Sequence, residues 1–469
     1  MRANARTGVR VSGQVGSVEG PGERAGVRGG SGARGACGAG AGGVGVEGMS
    51  DPSETLGAMS TTAPLPSTAP LRARAEIDLA ALRANVRTLR AHAPGAALMA
   101  VVKSEAYGHG ALRCARAAVA AGGRLAGHRH ARGGPGAAGG RGDPGGRADH
   151  VLAVDARRAL AGGRRGGPRR LGERYVGAAR GHRGRPAGGR PARVQLKADT
   201  GLGRNGCQPG DWAALVAAAG RAEAEGLVRV TGLWSHFACA DEPGHPSVAA
   251  QLVRFREMVA YAEREGLSPE VRHIANSPAT LTLPESHFDL VRTGIALYGI
   301  SPSPEIGTPA DFGLRPVMTL SASLALVKQV PGGHGVSYGH RYTTPGETTL
   351  ALVPLGYADG VPRHASGTGP VLIGGKWRTV AGRIAMDQFV VDLGGDEPAP
   401  GTEAVLFGPG DRGEPTAEDW AQAAGTIAYE IVTRIGTRVP RVYVGEEPVR
   451  HGAAAEADRP AGNNPARKR

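Results

Sequence analysis

Residues 100–110 read AVVKSEAYGHG, and the meaning given to them decides the fold. The apolar run ALMAVV at 97–102 has the length and composition of a buried strand, and it stops at Lys103. After Gly108-His109-Gly110 the sequence becomes compatible with a helix. A lysine at the carboxyl end of a buried strand occupies the place where α/β barrels keep their chemistry. Burial there would disfavour the ammonium form and make the amine nucleophilic enough for a Schiff base. Taken alone, Lys103 reads more simply as a solvated lysine at a strand end.

Working outward, Leu79, Leu82, Val86 and Leu89 fall at helical spacing behind Asp78, a candidate N-cap, and Pro94-Gly95 ends that helix. Further on, the strand-like runs VQLKAD (194–199), VRVTGLWSH (228–236) and VRHIAN (271–276) alternate with helical patterns around 211–226 and 247–265. FDLVRTGIAL (288–297) follows. Strands alternating with helices argue for a parallel sheet. From Val317 the texture changes to short β runs: LSASLALVKQV, TTLALVPLG, PVLIGG, FVVDL and EAVLFG. Gly and Pro punctuate them, as in a small antiparallel barrel or sandwich. Short helices are expected around 417–424 and 427–435, before a last strand RVPRVYV.

The 469 residues leave room for two or more domains. A net charge of +14 points at first to nucleic acid, but its distribution excludes that reading. Residues 1–50 carry six Arg against three Glu, 121–190 sixteen Arg against four acids, and the last twenty residues five basic against two acidic groups. The remainder is therefore net acidic, whereas a nucleic-acid face would place its charge on folded elements interleaved with aromatics. No window approaches the roughly 20 apolar residues of a membrane span. Nor does the N-terminus read as an export signal, so a cytoplasmic protein is expected. Cys37, Cys114, Cys207 and Cys239 are widely spaced without a CxxC pair, which suits free thiols better than disulfides or zinc, and no metal is expected.

Residues 1–58 offer no core and are expected to be disordered or an untranslated extension, with Met49 or Met59 a more natural start. The tail at 452–469 is expected to be disordered as well. Residues 122–190 are the anomaly: 21 Gly and 16 Arg crowd the interval 121–190, and its one short apolar run is VLAV at 151–154. A barrel needs continuous apolar strands here. Two explanations stand, a pair of compensating frame changes in the gene or a genuine disordered insertion. Either leaves the barrel defective over that interval.

The pattern K-x-x-A-Y-G-H-G behind a strand resembles the pyridoxal-phosphate attachment motif of alanine racemases, with Ser104 and Glu105 where that family usually has Ala and Asn or Asp. LKADTGLGRNG, GLWSHFACADE, HIANSPA, VRTGIALYG, GVSYGH, LGYADGVPR and GRIAMDQ resemble further segments of the family in the same order. The resemblance covers roughly 76–121 and 193–447. It implies an α/β fold, with an N-terminal TIM-like (β/α)8 barrel over 76–316 and a mainly antiparallel β domain over 317–447. It further implies a homodimeric isomerase that interconverts L-alanine and D-alanine with pyridoxal 5'-phosphate, supplying D-alanine for peptidoglycan.

The resemblance also assigns roles. Lys103 would hold the cofactor and serve as base on one face, with Tyr338 of the partner subunit as base on the other. Tyr107, Ser277, Gly294, Ile295 and Tyr443 would bind the phosphate. Arg204 would contact the cofactor's phenolic oxygen and the substrate carboxylate. Lys197 would either carry a carbamate that orients Arg204 or be an ordinary ion-paired lysine. Arg292, supported by His236, would face the pyridine nitrogen. An arginine does not give up its proton, so that nitrogen stays unprotonated and the weaker electron sink favours racemisation over transamination. Met386 would touch the substrate, and Tyr357, Arg363, Arg383 and Asp387 would line the entrance. The alternatives are a broad-specificity amino-acid racemase, a non-catalytic pyridoxal-phosphate-binding protein, and an inactive product if 122–190 is frame-changed. Proteins of the second kind lack the β domain and its tyrosine, both of which this chain has.

Overall fold

The computed structural model describes residues 71–126, 152–153 and 191–446. Strand β1 (Ala73–Asp78) runs directly into helix α1 (Leu79–His92). The Asp78 carboxylate accepts from the amides of Ala80 at 2.8 Å and Ala81 at 3.0 Å, satisfying donors that a helix start leaves open. Leu79, Leu82, Val86 and Leu89 are buried, so α1 turns its apolar stripe inward. Next come β2 (Ala97–Val101), the short α2 (Lys103–Tyr107), α3 (Ala111–Ala120) and β3 (Arg124–Ala126). β4 (Leu152–Ala153), β5 (Ala192–Lys197), α4 (Pro209–Ala224), β6 (Val228–Trp234) and α5 (Pro246–Arg264) follow. β7 (Val271–His273), α6 (Ser277–Thr282) and β8 (Leu290–Thr293) complete this half.

From β2 to β8 every strand pairs in parallel, in the orders β3-β2-β8 and β4-β5-β6-β7. The two runs join where Arg292 N donates to Ala275 O at 3.0 Å and Asp289 N to Arg272 O at 3.2 Å. Leu98, Ala100, Val194, Leu196, Val230 and Leu233 are buried, as parallel strands covered by helices require. Within 122–190 the structure describes only 122–126 and 152–153, so the rest of that anomalous interval lies outside the described residues. The expectations for 1–58 and 452–469 lie outside them too. No helix among the described residues is long and apolar enough to cross a membrane.

The second domain contributes β9 (Met318–Ser323), β10 (Leu326–Val330), β11 (Gly335–Val336), β12 (Tyr342–Thr343) and β13 (Thr348–Val353). It continues with β14 (Pro370–Ile373), β15 (Lys376–Ala381), β16 (Phe389–Asp392) and β17 (Glu403–Phe407). Helices α7 (Ala417–Ala424) and α8 (Ala428–Thr433) precede β18 (Arg441–Val444). The main sheet has the order β10-β13-β16-β15-β14-β17-β9-β1-β18. Sequence reasoning starts α1 correctly behind Asp78 but misses β1 before it, which pairs antiparallel with β9 and parallel with β18 in this sheet. Trp420, fully buried beneath the sheet, donates its indole N–H to Leu406 O at 2.6 Å.

The two halves meet at the loop behind Lys103. Arg441 of β18 donates Nε–H to Gly108 O at 2.9 Å, and its terminal nitrogens donate to the carbonyls of Ile435, Gly436 and Val439. Gly108 has φ +85 and backs onto α8, where an added Cβ would lie 2.4 Å from Val432 O. Gly108→Ala is therefore expected to lower the unfolding free energy by about 2 kcal/mol or more, through both the unfavourable φ and the clash. The measurement is the urea midpoint, and an unchanged midpoint would show that the lysine loop does not depend on α8.

Candidate active site

Lys103 opens α2, but α2 is not an ordinary helix. Ser104, Glu105, Ala106 and Tyr107 all have φ between 52 and 54, in the left-handed region. The turn closes with Ala106 N donating to Val102 O and Gly108 N to Ser104 O, both at 3.0 Å. Non-glycine residues in this region cost roughly 1–2 kcal/mol each, so the turn persists only because its surroundings hold it. Ala106 and Tyr107 are buried, and the Tyr298 hydroxyl donates to Val101 O at 2.9 Å. Lys103 itself is solvent-exposed, with Nζ 5.5 Å from the Tyr107 ring centre. Burial of the amine, expected from the strand end, is thus not what the structure shows.

Positive charge gathers instead at His236, and Lys103 contributes to it. Burial first, and then the charges of Arg292, Arg204, Lys197 and Lys103, push the His236 imidazole well below its usual pKa and keep it neutral. Four cationic side chains from three segments, Lys197 and Arg204 sharing one, therefore act on one histidine. Such a concentration of like charge is tolerable where an anionic molecule is to be bound.

Arg292, at the end of β8, organises the floor. Its guanidinium donates to His273 Nδ1 at 2.7 Å, Ser235 O at 2.8 Å, His236 Nδ1 at 3.1 Å and Ile274 O at 3.2 Å. A guanidinium can only donate, so both histidines accept through Nδ1 and carry their proton on Nε2. His273 Nε2–H then donates to Gln195 Oε1 at 2.8 Å. Burial and Arg292 push His273 well below the usual imidazole range. Burial brings Arg292 down to about 9, which leaves it charged at neutral pH. All four acceptors are neutral groups.

The Trp234 ring lies beside this network. It stacks on His273 at 5.8 Å and faces Arg292 at 5.1 Å and the Lys197 ammonium at 4.7 Å. Lys197 is buried and hydrogen-bonds Asn205 Oδ1. Arg204 is exposed at the mouth, where it borders a cavity of about 330 Å³ together with His236, Asp241, Asn276 and Tyr429.

A second cluster brings together Ser277, Gly294 and Tyr107. The amides of Gly294 and Ala296 donate to Ser277 Oγ at 2.8 and 3.4 Å, with Ile295 between them. An added Cβ on Gly294 would lie 2.3 Å from the Tyr107 hydroxyl, so glycine there makes room for that oxygen. The Gly294 amide, expected to point at a ligand, is bonded to Ser277 here. Tyr443 places its hydroxyl against Gly110, where an added Cβ would lie 1.9 Å away, and the Arg113 guanidinium sits 5.2 Å over its ring.

The remaining sequence-derived residues gather on the second domain. Tyr338 is 69% exposed, Met386 54% and Tyr357 40%. Ser337 Oγ donates to Arg383 O at 2.7 Å, while the amides of Tyr357 and Ala358 donate to Ala385 O and Met386 O. The loops bearing Tyr338, Tyr357, Arg383 and Met386 are thereby linked in pairs. Asp387 is exposed and accepts from Arg438 at 2.6 Å, and Arg363 is exposed as well. Cys239, Glu242 and His245 have ligand atoms within 4.8 Å of one another. His245 Nδ1, however, accepts from Ser247 N at 3.2 Å at the positive end of α5, which leaves the proton on Nε2 and opposes a cation.

Family models for the alanine racemase N-terminal domain match residues 77–131 and 176–302, and those for the alanine racemase C-terminal domain match 317–443. The chain belongs to the alanine racemase family. An alanine racemase from Streptomyces coelicolor is 73% identical over 402 residues, spanning 82% of this chain and 99% of the relative. One from Frankia casuarinae is 53% identical over 389 residues, spanning 80% and 97%. The solved structure of the Streptomyces coelicolor alanine racemase matches with a TM-score of 0.68 at 69% identity, covering 80% of this chain and 98% of that one. The alanine racemase from Streptomyces lavendulae matches with a TM-score of 0.72 at 64% identity, covering 81% and 98%. The racemase resemblance read from the motifs is thus borne out.

Sequence reasoning missed Gln195, Trp234 and His273. Gln195 and Lys197 stand two apart in β5, so the alternation of a strand puts both on one face, and that signal was available. Trp234 read simply as strand. A pH prediction follows from the neutral histidines: burial pushes His109 down to about 4, and His236 and His273 are also well below the usual value. Unfolded histidines take up a proton near pH 6.5, so below that pH the unfolded chain binds more protons than the folded one. Stability is expected to fall as pH drops below about 6.5, by up to about 1.4 kcal/mol per pH unit for each such histidine. Urea midpoints at pH 7.5 and 5.5 check this, and an equal or higher midpoint at pH 5.5 would contradict it.

Proposed function

We propose that this chain is a pyridoxal-phosphate-dependent alanine racemase, acting as a cytoplasmic homodimer that supplies D-alanine for peptidoglycan. Membership of the family supports the activity, and one structural observation supports the cofactor. Lys103, Lys197, Arg204 and Arg292 converge on neutral His236. Ser277, the turn at Gly294–Ile295–Ala296 and the Tyr107 hydroxyl form a small polar cradle close to one another. An aldehyde that carries a phosphate and a phenolic oxygen fits this set: an amine to attach to, cations for its charge, and hydroxyl and amide groups for its phosphate.

When bound, pyridoxal phosphate supplies the electron withdrawal that acidifies the α-hydrogen of an amino acid. Lys103 Nζ would hold it and would move a proton at Cα on one face. Tyr338 of the partner subunit moves a proton on the opposite face, since inversion needs a base on each side. Arg292 keeps its own proton at neutral pH and cannot accept another, so beside a cofactor ring nitrogen it would leave that nitrogen unprotonated and would favour return of a proton to Cα. His236 and His273 fix its orientation through their Nδ1 atoms.

Arg204 takes the substrate carboxylate, oriented by Lys197 either as a carbamate or through Asn205. Tyr107, Ser277, Gly294, Ile295 and Tyr443 bind the phosphate. Met386 touches the substrate, and Tyr357, Arg363, Arg383 and Asp387 line its entrance. These second-domain residues act across the dimer, which accords with the exposure of Tyr338 and Met386 in a single chain.

Borohydride treatment fixes pyridoxal phosphate irreversibly to the lysine that holds it. Purified protein that racemises alanine should carry the label on Lys103 in peptide mass maps. Label on Lys197 or Lys328, or racemisation unaffected by Lys103→Ala, would overturn the assignment.

A further inference from the structure

Beside the cofactor lysine lies a buried histidine that the reading above leaves without a task. His109 is 0% exposed, and its Nδ1 lies 2.9 Å from Ala106 O and 3.0 Å from Tyr107 O. Carbonyl oxygens only accept, so Nδ1 carries the proton and donates to both. Among the described residues its Nε2 has no hydrogen-bond partner, and burial pushes the imidazole down to about 4, so it stays neutral. A protonated ring would bury a second N–H with nothing to receive it.

The two carbonyls belong to the last residues of the left-handed turn that begins beside Lys103. The imidazole also stacks on Tyr298, with ring centres 4.5 Å apart and planes at 26°. Tyr298 in turn donates its hydroxyl to Val101 O at 2.9 Å. The stacked pair thus grips the main chain on both sides of Lys103, two residues before it and three to four after it. Left-handed residues relax toward the right-handed side unless hydrogen bonds hold them. The same turn places the Tyr107 hydroxyl against Gly294.

We propose that His109 is a positioning residue, whose Nδ1–H locks the left-handed turn and thereby fixes where Lys103 and the Tyr107 hydroxyl stand when the cofactor attaches. The proposal rests on Lys103 being the cofactor lysine. It separates the two nitrogens of one ring: Nδ1 does the positioning, and Nε2 is dispensable.

Asparagine and glutamine test that separation. The amide nitrogen of Asn can occupy the position of Nδ1, whereas that of Gln reaches the position of Nε2, which finds no acceptor among the described residues. Both variants lose the ring stack, so a merely packing role would affect them alike. His109→Asn is expected to bind pyridoxal phosphate within about threefold of wild type, followed by absorbance on titration of the cofactor-depleted protein. His109→Gln is expected to bind it at least about tenfold more weakly, the worth of a buried hydrogen bond, at a urea midpoint similar to that of His109→Asn. Tyr298→Phe, which keeps the stack but loses the bond to Val101 O, should also weaken binding. Equal affinities for the Asn and Gln variants, or losses that follow their urea midpoints, would overturn the proposal. Wild-type protein that takes up no cofactor on Lys103 would overturn the functional reading itself, and the borohydride map detects that separately.

Discussion

Four consecutive left-handed residues behind Lys103 are the constraint on which the rest of this structure depends. None of Ser104, Glu105, Ala106 and Tyr107 is of a type that favours that region, and together they cost several kcal/mol. The cost is offset from three directions. The barrel supplies Tyr298 and the stacked His109, the turn buries its own Ala106 and Tyr107, and the second domain supplies Arg441 and the carbonyl face of α8. The first and last described strands, β1 and β18, lie side by side in the second domain's sheet, which brings Arg441 and Tyr443 to the lysine loop. Domain order along the chain is therefore less informative than domain contact. The β domain is part of the foundation of the lysine and not an appendage.

Electrostatics supplies the other half of the account. Burying Arg292 among neutral acceptors keeps a cation in the floor of the site, with no carboxylate bonded to it among the described residues. The two histidines can serve as acceptors only by remaining neutral, which the surrounding cations and their burial enforce. The site is thus prepared for an anionic guest by the same interactions that fix the tautomers of its walls.

Much of this was legible in the sequence, but unevenly. The Asp78 cap, the stripe on α1 and the alternation from β5 to β8 follow from local periodicity, which is a short-range signal. Strand β1 was not legible, because its partners β9 and β18 lie more than two hundred residues away and ARAEID has no turn before its helix. The left-handed turn was hidden for the opposite reason, since no Gly or Asn marks it. Lys103 was expected to be buried and is exposed. The strand-end argument locates a residue along the chain but does not say how deep its side chain sits. The bond of Arg292 to His236 was readable only through family resemblance, and its partner His273 only once the strands were in place.

In the proposed dimer, the second-domain residues would complete the site of the neighbouring chain. Tyr338, at 69% exposure, leaves its ring free to reach a neighbouring chain, as the proposed role requires. The central claim is that each site joins Lys103 of one chain to Tyr338 of the partner subunit, and subunit mixing tests it most directly. Lys103→Ala and Tyr338→Phe proteins, each inactive alone, are dissociated together in equal amounts and reassembled. The account predicts recovery of about a quarter of wild-type activity, because half of the dimers are mixed and each of these holds one intact site. Mixed dimers that form but show no activity would contradict it, since Lys103 and Tyr338 would then have to come from the same chain.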